Sequence, residues 1–170
     1  MKTKNVIVAP YSYQWKIEFE KIKKALEHAL EDIIISIEHV GSTSVEGLCA
    51  KPIIDIDVVI QNYKKFDEVK SRLEDLGYYH KGDLGIKERE AFRYNEKPEF
   101  MEHHLYVCPQ YSNELKRHLV FRDYLRLHEE DKNLYGKIKL EAAKKYPTDI
   151  DGYIKAKSTC IENIYNKCGL

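Results

Sequence analysis

Residues 53–60 read Ile-Ile-Asp-Ile-Asp-Val-Val-Ile, an apolar, largely β-branched run that Asp55 and Asp57 interrupt at alternate positions. Such a run reads as a buried strand, and alternate residues of a strand share a face, so both carboxylates project to one side. The same periodicities assign the remaining elements. A short strand is expected at 6–8, and residues 12–30 space Trp15, Ile17, Phe19, Ile22, Ala25, Leu26 and Leu30 along a helix with Ser12 as N-cap. The β-rich stretch 33–40 runs into a Gly-Ser-Thr-Ser turn at 41–44, and a helix over 63–76 is stopped by Gly77. Strands at 78–80, 90–94 and 102–108 are separated by Gly82, Gly85 and the segment 95–98. Helices follow over 113–128, 132–146 and 151–167. Strands early and helices late predict an α+β or α/β architecture, one mixed sheet with an appended helical bundle, in a single domain spanning 1–170.

At 170 residues the chain buries about 68–70% of its unfolded surface, enough for a core without disulfides or a structural metal. Lys plus Arg and Asp plus Glu are 28 each, so no global basic field draws it to long nucleic acid or an anionic membrane. The four cysteines, Cys49, Cys108, Cys160 and Cys168, form no Cys-x-x-Cys pair and read as free thiols of a reducing compartment. The apolar segment 6–9 is too short for a signal-peptide core and no run approaches a membrane span, so a soluble, cytoplasmic protein is expected.

Charge inside an apolar strand needs a chemical reason. Asp55 and Asp57 lie about 6.6 Å apart at Cα, close enough to converge on one divalent ion. Without a cation they repel; Mg²⁺ or Mn²⁺ keeps both ionised and also accepts phosphate oxygens. The turn Gly41-Ser42-Thr43-Ser44 adds the complementary feature, since glycine lets backbone approach an anion and hydroxyls donate to it.

A glycine-serine turn followed by Asp-hydrophobic-Asp-hydrophobic resembles the signature of the nucleotidyltransferase superfamily, the polymerase-β-like fold. More narrowly, the chain is similar to the GrpB-like family assigned to that superfamily. The likeness is carried by Val8-Ala9-Pro10-Tyr11 before Trp15, by 37–45 (Ile-Glu-His-Val-Gly-Ser-Thr-Ser-Val), by 50–57 (Ala-Lys-Pro-Ile-Ile-Asp-Ile-Asp), by His103-His104-Leu105-Tyr106-Val107, by 121–126 (Phe-Arg-Asp-Tyr-Leu-Arg) and by 153–157 (Tyr-Ile-Lys-Ala-Lys). The resemblance implies a nucleotidyltransferase-like mixed sheet with flanking helices, a turn holding nucleotide phosphates, and paired acids holding metal. It implies a nucleoside triphosphate or CoA-related small molecule as ligand; that GrpB-like domains also occur fused to dephospho-CoA kinase implies an association with nucleotide metabolism and no more.

Active members of that superfamily place a third carboxylate on a neighbouring strand. Here the corresponding stretch is 102–107, and alternation sends Glu102, His104 and Tyr106 to the aspartate face while His103 and Leu105 turn to the core. Glu102 could supply the third acid, or His104 a general base or metal ligand. A mixed His/Asp ligand set would favour transition metals, and a phosphohydrolase using Asp55, Asp57, His103 and His104 is the third reading after nucleotidyl transfer and a non-catalytic nucleotide- or CoA-binding module. Lys51 precedes the aspartate strand and could neutralise a triphosphate; Arg93 could reach over the sheet to a phosphate. The pairs Arg117-His118 and Arg122-Asp123 read as a surface salt-bridge lattice, and Lys157 as a solvated helix lysine.

Overall fold

The structure, a computed structural model, describes residues 5–170. Strands β1 (Ser36–Val40), β2 (Ile54–Ile60), β3 (Tyr79–His80), β4 (Glu90–Arg93) and β5 (His103–Pro109) form one mixed sheet in the order β1-β2-β5-β4-β3. β2 and β5 run parallel at its centre, and every other pairing is antiparallel. The connection from β2 to β5 passes through α2 (Phe66–Asp75), the hairpin of β3 and β4 and a short loop.

Alternation along β2 and β5 divides the sheet into two faces. On the back, Ile54, Ile56, Val58, Ile60, Leu105 and Val107 pack against α1 (Gln14–Leu30) and α2 through Trp15, Phe19, Ile22, Leu26, Val69 and Leu73. Each fully buried side chain of this kind contributes roughly 1.5–3 kcal/mol. On the front lie Asp55, Asp57, Val59, His104, Tyr106 and Cys108. Helix α3 (Asn113–Leu127) covers the Val59 end of that face, where Leu115 and Leu119 pack on Val59, Cys108 and Tyr106. Helices α4 (Glu129–Lys145) and α5 (Ile150–Lys167) join α3, and Tyr135, Cys160 and Ile164 close over Val45 and Leu48. The bundle is thereby rooted in the segment between the turn and the aspartate strand.

The expected strand at 6–8 does not form. Val6 packs with Ala142 and Tyr153 of the bundle and its N–H bonds Pro147 O, while Ala9 makes a single bridge to Ala50. Three apolar β-branched residues, Val6, Ile7 and Val8, suit a packed extended segment as well as a strand. The helix expected over 63–76 is a 3-10 turn, Tyr63–Lys65, capped by Asn62, followed by α2 and ended by Gly77 at φ +93°. The N-cap of α1 is Tyr13 rather than the expected Ser12, which stands one residue earlier with its hydroxyl accepting from Gln14 N at 3.2 Å. Helix α4 begins earlier than its apolar period indicates, because Glu129, Glu130 and Asp131 in the first turn favour a helix N-terminus. Among the described residues no helix is long and apolar enough to cross a membrane.

Candidate functional site

Register fixes the neighbours of the two acids. Asp55 stands between Val40 on β1 and His104 on β5, and Asp57 between Glu38 and Tyr106. Asp57 is 0% exposed. Each carboxylate has an imidazole partner: His104 Nδ1 donates to Asp55 Oδ1 at 2.9 Å, and His118 Nδ1, from α3, donates to Asp57 Oδ2 at 2.6 Å. An ionised carboxylate only accepts, so both ring nitrogens carry the proton. His118 Nε2 reaches Glu114 at 3.2 Å. Burial works against charging His118, but its hydrogen bonds to Asp57 and Glu114 outweigh burial and push it up to about 10. Burial raises the Asp57 carboxyl and His118 opposes that rise. A buried carboxylate–imidazolium pair thus relieves much of the repulsion between the acids.

This placement corrects the reading of Arg117-His118 and Arg122-Asp123 as a surface lattice. His118 and Arg122 turn inward, Arg122 donating to Glu38 at 2.9 Å and to His39 O at 3.1 Å. Helical periodicity finds apolar stripes; these polar side chains face the sheet because the sheet presents carboxylates to them.

The turn meets the first acid directly. Gly41 adopts φ +73°, and a Cβ there would collide with Asp55 Oδ2, so both the backbone angle and the space demand glycine. Ser44 Oγ donates to Gly41 O at 2.5 Å and holds the turn closed. Thr43 is buried, with its hydroxyl bonded to His39 Nε2 at 2.9 Å, which turns it away from the expected phosphate role. Burial lowers His39 to about 4, and its neutral ring stacks on Phe19 at 4.4 Å. Ser42 remains, in hydrogen-bond contact with the Tyr135 phenol.

Three lysines gather beside this turn. Lys139 of α4 is only 2% exposed, donates to Cys49 O at 2.7 Å and lies 4.9 Å from the Tyr135 ring centroid. Lys157 of α5 and Lys51 both approach the Tyr153 ring, at 4.8 and 5.8 Å. Burial first, then the neighbouring lysines, lower Lys139 to about 7 and Lys157 to about 8, while Asp55 draws both upward. Tyr153 OH is buried in this group without a hydrogen-bond partner. Lys157 is therefore half-buried in a cationic cluster rather than solvated on a helix face. Lys139 carried no sequence signal beyond a polar residue among apolar neighbours in α4.

The remaining candidates divide. His103 turns to the back face, bonded to Tyr78 OH at 2.7 Å and Met101 O at 2.8 Å. It cannot join the acids, which removes it from the phosphohydrolase ligand set. Glu102 precedes β5 and is exposed; its backbone carbonyl accepts from Ile54 N at 3.0 Å. Arg93 is exposed on β4, on the same face as Ala91, which pairs with Tyr106.

The donor set at the acids is oxygen. Asp57 Oδ1 is buried without a hydrogen-bond partner. Both histidines spend a ring nitrogen on holding a carboxylate, and among the described residues no group of three or more His, Cys, Asp or Glu could cage an ion. Two carboxylates fit Mg²⁺ or Mn²⁺, which keep waters and take substrate phosphates as further ligands.

Comparison with known proteins identifies the family and the fold. The family described as GrpB protein matches residues 5–167. Glutamate-rich protein GrpB of Alkalihalophilus pseudofirmus is 32% identical over 165 residues, 95% of each chain. A crystal structure of conserved protein GrpB from Enterococcus faecalis superposes with a TM-score of 0.83 at 34% identity, covering 95% of this chain and 96% of that one. Cid1 in complex with its short product ApU matches 81% of this chain and 43% of its own at 16% identity and a TM-score of 0.54, a likeness of fold. The chain spans 46% of two longer relatives, UPF0157 protein YqkA of Bacillus subtilis at 31% identity and a dephospho-CoA kinase of Mycolicibacterium paratuberculosis at 21%.

Proposed function

The chain belongs to the GrpB family and has a nucleotidyltransferase-like fold, and from that premise we propose a metal-dependent transfer of a nucleotidyl group from a nucleoside triphosphate to a small acceptor. The observation that carries this reading is the gathering of Lys51, Lys139 and Lys157 near the Gly41 turn and Asp55. Like charges at partly buried positions are costly unless an anion meets them, and a triphosphate is the anion of matching charge.

In this reading the backbone of Gly41 and the hydroxyl of Ser42 cradle the β- and γ-phosphates, and the three lysines neutralise them. Asp55 and Asp57 would hold Mg²⁺ or Mn²⁺, which when bound offsets charge developing on the α-phosphate. His118 keeps Asp57 ionised and oriented. His104 is the better placed general base: with its Nδ1 donating to Asp55, Nε2 keeps a lone pair for the proton of an acceptor hydroxyl. Glu102, exposed before the strand, is the alternative.

The test is titration of ATP, GTP, CTP and UTP with and without Mg²⁺. Binding of at least one, tightened by Mg²⁺ and weakened about tenfold in Lys157→Met, is expected; no binding by any at millimolar concentration would sink the proposal. The kinship with a dephospho-CoA kinase favours one second reading, in which the same cluster holds a CoA-related pyrophosphate without transfer. Release of pyrophosphate from a bound triphosphate in the presence of an acceptor excludes it.

A further inference from the structure

A cleft of about 810 Å³ opens between β4, β5 and the 95–100 loop, on the β5 side of the aspartate strand; Lys97 lines it, with its ammonium held on Leu76 O. His104, Tyr106, Ala91 and Arg93 line it from the front face. Arginines elsewhere in the described chain are occupied. Arg72 and Arg122 hold carboxylates at 2.5 and 2.9 Å, Arg126 donates to Ser44 O at 2.7 and 3.0 Å, and Arg117 reaches Glu114 at 4.0 Å. Arg93 and Arg89, by contrast, have no carboxylate within 4.0 Å among the described residues. Arg89 lies with its guanidinium 4.4 Å from the centroid of the Tyr106 ring, and its Nε is buried without a hydrogen-bond partner. Arg89 thus stacks on the ring that stands next to Asp57 in the register and acts also on Asp57 and Glu114, while Arg93 lines the cleft itself. The carboxylates of this cleft, Glu96 and Glu102, are exposed.

We propose that this cleft is the acceptor subsite and that it takes a small hydroxylated oxyanion, a molecule bearing a phosphate or carboxylate beside an alcohol. The proposal rests on the nucleotidyl-transfer reading above. Arg93, with Arg89 behind Tyr106, seats the anionic group, since a free guanidinium offers paired donors matched to such oxygens. The hydroxyl then faces His104, whose Nε2 takes its proton. The acceptor oxygen forms a bond to the α-phosphorus, the bond from that phosphorus to the β-bridging oxygen breaks, and pyrophosphate leaves with the electron pair. The two cationic regions thus divide the labour: lysines hold the leaving group on one side of Asp55, and arginines hold the acceptor on the other.

Amide chemical-shift mapping on the full chain tests this with glycerol 3-phosphate, glycerate and glycerol as probes. Glycerol 3-phosphate, glycerate or both should shift the amides of residues 91–94 and 104–106, whereas glycerol should not; which anion is stronger distinguishes phosphate from carboxylate chemistry. Arg93→Gln should weaken the response about tenfold, Arg89→Gln should weaken it less, and Arg117→Gln should leave it unchanged. An equal response to glycerol, a response confined to residues 41–45, or full retention in the Arg89→Gln/Arg93→Gln double variant overturns the proposal. A non-hydrolysable nucleotide with Mg²⁺, added to the same sample, reads residues 41–45 separately. Silence there with an intact response at 91–94 defeats the nucleotide reading alone, and the converse defeats the acceptor subsite alone.

Discussion

The two faces of the sheet are made by alternate residues of the same strands, yet they obey different rules. The back is apolar and closed by α1 and α2; the front carries Asp55, Asp57 and His104 and is closed by α3 only at one end. His103 and His104 make the contrast at adjacent positions. The first is buried, its pKa lowered by burial and its nitrogens committed to Tyr78 and Met101; the second is exposed, with one nitrogen on Asp55. The difference teaches that the back stabilises the fold whereas the front holds charges paired across the sheet and with α3.

The sharpest way to break the comparison is to truncate neighbours on β2. Ile56→Ala on the back should lower unfolding free energy by about 2–5 kcal/mol in denaturant titration, because a cavity opens in a packed cluster, while leaving nucleotide affinity intact. Asp57→Asn, one residue on, breaks the buried pair with His118 and should cost a comparable amount of stability, but unlike Ile56→Ala it should also abolish Mg²⁺-dependent binding. If the two swap effects, the division of faces is wrong. Gly41→Ala comes next: positive φ and the collision with Asp55 should cost about 1–3 kcal/mol, read as a drop in thermal midpoint accompanied by weaker nucleotide binding.

Smaller effects follow from protonation. His118 is raised from 6.5 to about 10 in the fold, so its contribution to stability is complete below pH 6.5 and disappears as pH rises through about 10. The thermal stability difference between wild type and His118→Gln should therefore be largest in acid and shrink across that window. Lys139 and Lys157 have the opposite sign. Lowered to about 7 and about 8, they disfavour the folded state at low pH, and stability from this source rises with pH toward 10.5. Phosphate binding should recharge them, so calorimetry at pH 8 in buffers of different ionisation enthalpy should detect uptake of roughly one to one and a half protons per nucleotide. Zero uptake would remove the lysines from the phosphate site.

Much of the fold was legible because period-two alternation names the faces of β2 and β5, and glycines such as Gly77 end helices by a local rule. The acids and the turn were legible for the same reason: charge in an apolar strand, and a glycine before hydroxyls, stand out against their surroundings. His118, Lys139 and Lys157 did not, since on a helix a polar residue normally signals solvent. Here α3 faces carboxylates, and Lys139 of α4 and Lys157 of α5 turn toward Lys51 and the segment before β2, which no single-helix period contains. The segment 6–8 was misread because its apolar residues meet the bundle, a contact with residues far away in the chain.

The lysine cluster also carries a mechanical consequence. Its members come from the loop before β2, from α4 and from α5, and are kept together by the packing of Val6, Ala142 and Tyr153 nearby. Lys139 ties α4 to that loop through Cys49 O, while repulsion among the three ammonium groups, greatest when all are charged, loads the same junction. On the proposed reading, a bound polyanion would remove that load and join the helical hairpin to the sheet more firmly.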